Sequence, residues 1–289
     1  MRAGHIPVII IGPDTVCFVM DPSRSGAVLA RHVGIGEDGQ LTADEDGGPR
    51  SLVISSDFYK VYESAGKKAD GLVSLFCWAH VRRHFVRAGD ANPQQLKYWT
   101  DAWLQRIRDL YAAHDGLMAA WQDGAAPAAR EKEAAAARME KAQGAWDTAI
   151  TVIDEARKKQ MQAPGLQEPA KKALATLDRE WYGLIAHRDY PMLSLDNSAE
   201  RQIRGPVVTR KNAGGSRNGD TARNAAVIWT VTATARMAGL NVLTWLTAYF
   251  DACGRNGGKP LAGQALGRFL PWNASPEDLR TWALPPPDG

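Results

Sequence analysis

The pattern of hydrophobic and polar positions changes character along the 289 residues. His5 to Ile11 and Val16 to Met20 are short apolar runs parted by Gly12-Pro13-Asp14, a turn signal, and they predict a hairpin. Asp21-Pro22-Ser23 opens a helix that runs from Ser25 to Val33. Gly34 to Pro49 is a polar, Gly-rich and acidic loop. Leu52 to Ser56 reads as a buried strand ending at Asp57, Phe58 to Ser64 as a short helix, and Leu72 to Phe76 as a second buried strand. Strands alternating with helices predict a mixed α/β sheet.

From His80 to His187 the pattern turns helical, with no strand signal. The predicted helices are Gln94 to Trp121, Ala128 to Lys159 and Glu168 to His187, and Gln160 to Pro169 connects the last two. Ala125 to Ala142 is rich in Ala, Glu and Lys, so it favours an exposed helix. After Glu200, a Gly/Asn-rich loop from Asn212 to Gly219 precedes an apolar helix, Ala222 to Met237, with Gly239 as its C-cap. Leu243 to Ala252 is a further helix, Gly254 to Pro260 a break, and Leu284-Pro285-Pro286-Pro287 an extended tail. The implied division is an α/β part over residues 1–85, a helical insertion over 86–190, a segment of helices and basic loop over 191–252, and a tail over 253–289.

Composition changes this picture little. Apolar content of 45% and charged content of 23% are ordinary for a globular chain. Three widely spaced cysteines, Cys17, Cys77 and Cys253, argue against a disulfide framework and for a cytoplasmic setting. No apolar run reaches the roughly 20 residues that span a bilayer, so no membrane partner is expected.

Charge changes it more. The chain nets +3, while Glu200 to Arg223 alone holds six cations against two anions. The cations are Arg201, Arg204, Arg210, Lys211, Arg217 and Arg223. Just upstream, Asp196 and Glu200 stand one helical turn apart. Carboxylates that hold a divalent metal, beside cations that hold phosphates, suit phosphodiester chemistry. A structural alternative exists for each acid: Asp196 can cap a helix, and Glu200 can pair with Arg204 at i,i+4. Asp57, at the end of a buried strand, can be a metal ligand or the cap of the following helix. Cys77, His80 and His84 share a helical face, but structural zinc needs four ligands and no second Cys/His pair has metal spacing. His80, Arg82 and Arg83 are better read as facing a crevice and a phosphate or carboxylate. Gly214 to Gly219 lacks the Gly-Lys-Ser/Thr ending of a nucleotide loop.

Two stretches, Cys77-Trp78-Ala79-His80-Val81-Arg82-Arg83 and Asp196-Asn197-Ser198-Ala199-Glu200-Arg201-Gln202-Ile203-Arg204 continuing to Arg210-Lys211-Asn212, carry a resemblance. In this order of elements the chain resembles the DDE transposases of bacterial insertion sequences of the type numbered sixty-six, from Val16 to Phe250. The resemblance implies a ribonuclease-H-like mixed sheet, a large all-helical insertion and a helical C-terminal part. It implies two Mg²⁺ or Mn²⁺ ions, held by three carboxylates, for metal-dependent cleavage and strand transfer of DNA. By position Asp57 would be the second carboxylate and Glu200 the third, 143 residues apart. The two would converge at one sheet edge. Asp196, His80 and Arg83 would support the site or a phosphate. Arg201, Arg204, Arg210, Lys211 and Arg217 would contact transposon-end DNA. The partners implied are DNA, a second copy of the chain or a full-length transposase.

One feature departs from the family's pattern. The first carboxylate is expected in an Asp-Glu-Thr motif on a strand upstream of the hairpin, and no Asp-Glu-Thr occurs in the chain. The expectation is a C-terminal part of a transposase with an incomplete two-metal site. The alternatives are a DNA-binding remnant without catalysis, or a site rebuilt with Asp21.

Overall fold

The computed structural model describes residues 6–12, 15–21, 26–43, 47–48, 51–58, 69–124, 131–216 and 218–283. The chain divides into two compact units, Ser25–Ser198 and the combination of Met1–Arg24 with Ala199–Gly289. The expected helix at Phe58 to Ser64, the Asp44-Glu45-Asp46 loop and Arg217 lie wholly or mostly outside the described residues.

In the unit Ser25–Ser198, helix α1 (Gly26–Val33) precedes strands β3 (Leu52–Ser56) and β4 (Leu72–Phe76). The two strands run parallel, with Leu52 opposite Leu72 and Ser56 opposite Phe76. Helix α2 (Trp78–Ala91) follows β4 directly, then α3 (Pro93–Gly124), α4 (Lys132–Met161), α5 (Glu168–Arg179) and α6 (Trp181–Ile185). Residues 93–189 hold no strand among those described.

Helix α3 buries Leu96, Thr100, Trp103, Ile107, Leu110, His114 and Leu117. That alternating three-and-four spacing makes one apolar seam, and α3 packs against α4 along it. Phe85 of α2 stacks on Trp103 at 4.7 Å, and the Trp78 indole N–H donates to Leu184 O at 3.1 Å. The indole N–H groups of Trp99 and Trp103 both donate to Gln160 Oε1, at 2.7 and 2.9 Å. The buried tryptophans are thus satisfied as well as packed. Gly183 is required for space: a Cβ there would lie 2.5 Å from the Phe76 ring.

In the other unit, β1 (Ile6–Ile11) and β2 (Val16–Asp21) form an antiparallel hairpin with Ile11 opposite Val16. Helices α7 (Ser198–Asn212), α8 (Gly219–Met237), α9 (Val242–Arg255), α10 (Gly263–Gly267) and α11 (Pro276–Trp282) follow. Helix α8 starts three residues before its apolar pattern, because Asn218 Oδ1 accepts from Thr221 N at 2.8 Å. It ends in a Schellman motif. Gly239 has φ 73, Leu240 N donates to Ala235 O at 3.0 Å, and Gly239 N donates to Arg236 O at 3.0 Å.

The strand–helix alternation predicted an α/β chain with a mixed sheet, and the structure shows parallel and antiparallel strand pairs. Among the described residues the four strands pair as two two-stranded sheets. The outer edge of β2 is covered within its own unit. Val16 N donates to Thr234 Oγ1 at 3.1 Å, that hydroxyl donates back to Val16 O at 3.1 Å, and Phe18 N donates to Thr230 Oγ1 at 2.9 Å. Two helix threonines therefore take up backbone groups that a third strand would have used. The register also places Pro7 opposite Met20, where its missing N–H faces away from β2 and costs no ladder bond.

Candidate functional site

Asp57 is exposed immediately after the last residue of β3. The next residue, Phe58, has φ 64, in the left-handed region, where a bulky side chain costs about 1–3 kcal/mol. Two ring contacts hold it there, edge-on to Phe76 at 5.6 Å and to His80 at 5.9 Å. Phe58 itself is therefore outside the right-handed helical region, and Asp57 stands at a bend after the strand end.

The first motif forms the start of α2. Cys77 is buried, its Sγ accepts from Asn197 N at 3.2 Å, and burial pushes the thiol pKa up. Its sulfur serves here as a buried hydrogen-bond acceptor. His80 is half-buried and packs on Phe58, while Arg82, Arg83 and Arg87 are exposed.

The second motif begins in the same unit. Trp78 N donates to Leu195 O at 2.9 Å, and the Tyr111 hydroxyl donates to Asp196 Oδ1. Burial, and then the Asp196 carboxylate, raise the Tyr111 pKa far above the ordinary phenol value. Asp196 is therefore a held acceptor at the entrance to α7. Its partner Tyr111 lies 85 positions away, and no local pattern in the sequence points to it.

Helix α7 itself buries only Pro206. This proline inside the helix leaves the Gln202 carbonyl without its usual N–H donor. Glu200, Arg201, Arg204, Val208 and Lys211 are all exposed, and their spacing gathers them on one side of the helix. Arg210 is half-buried and falls away from that side. Arg223, at the start of α8, pairs with Asp220.

The remaining acids are not alike. Asp21 is buried at the end of β2, in the same unit as Glu200, and Asp57 belongs to the other unit. As hard oxygen donors, the exposed Asp57 and Glu200 carboxylates suit Mg²⁺ or Mn²⁺. Among the described residues no group of three His, Cys, Asp or Glu side chains is gathered to hold a metal. No helix of the described residues is long and apolar enough to cross a membrane.

Residues 5–224 match the family described as transposase IS66 family. No curated protein and no solved structure matches the chain.

Proposed function

Because the chain belongs to the transposase IS66 family, we propose that it acts on the DNA of an insertion sequence, with Asp57 and Glu200 as carboxylate ligands of Mg²⁺ or Mn²⁺. The observation that carries this reading is the extent of the match, residues 5–224, which takes in both motifs and both acids. The exposed side of α7 supports it, since it offers one carboxylate among three cations, Arg201, Arg204 and Lys211. Those cations would bind backbone phosphates, which gives affinity and register without sequence readout. Arg210, half-buried, would contribute less. A divalent ion, when bound, supplies Lewis-acid stabilisation to phosphoryl transfer. Asp57 and Glu200 would hold it as oxygen donors, while Arg83 and His80 would steady a phosphate. A ribonuclease-H-like arrangement of the strands, and a second copy or a full-length relative as partner, belong to the same proposal.

The sequence favours a second reading within this one. No Asp-Glu-Thr occurs in the chain, so two of the three family carboxylates can be matched. A two-metal clamp with one carboxylate fewer is poorly placed to offset the repulsion between its ions. DNA binding without cleavage by this chain alone is the expected behaviour. Incubating the purified chain with supercoiled plasmid and Mn²⁺ tests it, with retention and nicking read on one gel. Retention without nicking agrees with this reading. Nicking that disappears in Glu200→Gln would show a competent site, with Asp21 the first acid to examine. Absence of retention would overturn the DNA reading itself.

A further inference from the structure

Each of the three residues that lead into α7 is held by a group outside that helix. Trp78 N donates to Leu195 O at 2.9 Å, the Tyr111 hydroxyl donates to Asp196 Oδ1, and Asn197 N donates to Cys77 Sγ at 3.2 Å. Helix α7 starts at the next residue, Ser198, and carries Glu200 in its first turn. Cys77 N also donates to Ser56 O at 3.1 Å, and Ser56 is the residue before Asp57. Cys77 therefore bonds both the strand end that precedes Asp57 and the segment that opens α7. All these holding groups, and residues 195–197 themselves, lie in the unit Ser25–Ser198.

Tyr111 is the holding group that neither family motif contains. It stands within α3, whose side chains Trp103, Ile107, Leu110 and Leu117 are fully buried. The Tyr111 ring packs against that core, so the helix fixes where its hydroxyl sits. A phenol is a donor, and a hydrogen bond to a carboxylate is roughly twice as strong as one between neutral groups. The bonds to Leu195 and Asn197 use their backbone atoms. The bond to Asp196 uses its side chain, and removing one oxygen from Tyr111 deletes it.

We infer that Tyr111 is a positioning residue for the proposed metal chemistry: by fixing Asp196 it sets where α7 begins, and so how Glu200 is presented. Metal–oxygen distances must hold to within about 0.2 Å, and Mg²⁺ demands a near-ideal octahedron. Glu200 lies four residues beyond Asp196, about one helical turn, so freedom at Asp196 is felt at the Glu200 carboxylate. The long helical insertion then contributes to the site through one hydroxyl, beyond separating the two acids in sequence. This rests on the proposal that Glu200 is a metal ligand.

The test uses the full chain with a labelled DNA duplex, and measures Mn²⁺ affinity, DNA affinity and the unfolding midpoint. The unmodified chain is compared with Tyr111→Phe, Asp196→Asn, the double variant, and Ile153→Val. Ile153 is fully buried in the same core on α4, so its trimming reports what lost stability alone does. The expected result is that Tyr111→Phe weakens Mn²⁺ binding about tenfold, as loss of a group that orients a ligand does, and leaves DNA affinity unchanged. The double variant should bind Mn²⁺ no more weakly than the weaker single one, because both substitutions remove the same bond. Ile153→Val should keep the Mn²⁺ affinity of the unmodified chain. Unchanged Mn²⁺ binding in Tyr111→Phe would overturn the inference and leave the proposed function standing. So would losses at Tyr111 and Asp196 that simply add, or an equal loss in Ile153→Val. No Mn²⁺ binding by the unmodified chain would overturn the metal role of Glu200 and the inference with it.

Discussion

Helices α2 and α7 each carry one of the two family motifs, and they are built in opposite ways. Helix α2 buries five residues, whereas α7 buries Pro206 alone. In α2 the motif is mostly internal support. Cys77 accepts the Asn197 N–H, Trp78 anchors to Leu184 and Leu195, and Arg82, Arg83 and Arg87 meet solvent. In α7 the motif is mostly surface, with Glu200, Arg201 and Arg204 exposed. The difference shows that a family motif is not a list of reactive groups. Some of its residues hold the chain so that others can be presented.

The comparison breaks most visibly through Trp78. Trp78→Ala removes a fully buried ring and leaves a cavity, so it should cost about 3–5 kcal/mol in denaturant unfolding. Arg204→Ala, on α7, should leave the midpoint unchanged. Equal effects at both places would mean that α7 is packed after all.

The core served by α2 should also be sensitive to acid. His187 is fully buried, its Nε2 bonds Phe76 O at 3.0 Å, and its pKa is lowered to about 4, chiefly by burial. The ordinary value is 6.5. Between these values the unfolded chain takes up a proton that the folded chain refuses. Stability from this group is therefore intact above pH 6.5 and falls as pH drops toward 4. The loss should reach about 2 kcal/mol by pH 5. Unfolding curves for the chain and for His187→Gln check this, and parallel pH profiles for the two would contradict it.

Helix α8 offers a smaller effect in the other unit. Thr234→Val keeps the shape but leaves Val16 N–H and C=O without their partner, at a cost of about 1–3 kcal/mol. Hydrogen exchange at Val16 should quicken with it. An unchanged rate would show that these bonds do not hold the hairpin edge.

How far the sequence spoke follows the same division. Leu52–Ser56 and Leu72–Phe76 were readable to the residue, because both are compact apolar runs bounded by polar or turn residues. Two long helices were readable from their seams to within a few residues, while the one expected from Glu168 to His187 is broken at Glu180 into Glu168–Arg179 and Trp181–Ile185. The pairing of strands was not. Thr230 and Thr234 look like any helix threonines, and only tertiary contact shows them bonding the edge of β2. The same holds at the site. Asp57 at a strand end was legible, but the left-handed Phe58 beside it was not, since Phe predicts no such turn. Tyr111 as partner of Asp196, and the retreat of Arg210 from the exposed side of α7, both depend on packing that local spacing does not encode.

The smallest stability change, and the most telling functional one, is expected at the two exposed acids. Mn²⁺ binding by the full chain in the presence of duplex DNA, followed by electron paramagnetic resonance, addresses the claim that Asp57 and Glu200 serve one metal-dependent site. The prediction is that Asp57→Asn and Glu200→Gln each abolish the same bound-ion signal, and that the double variant loses no more than either single one, as groups sharing one ion must. Losses that simply add, or binding that survives both substitutions, would contradict it.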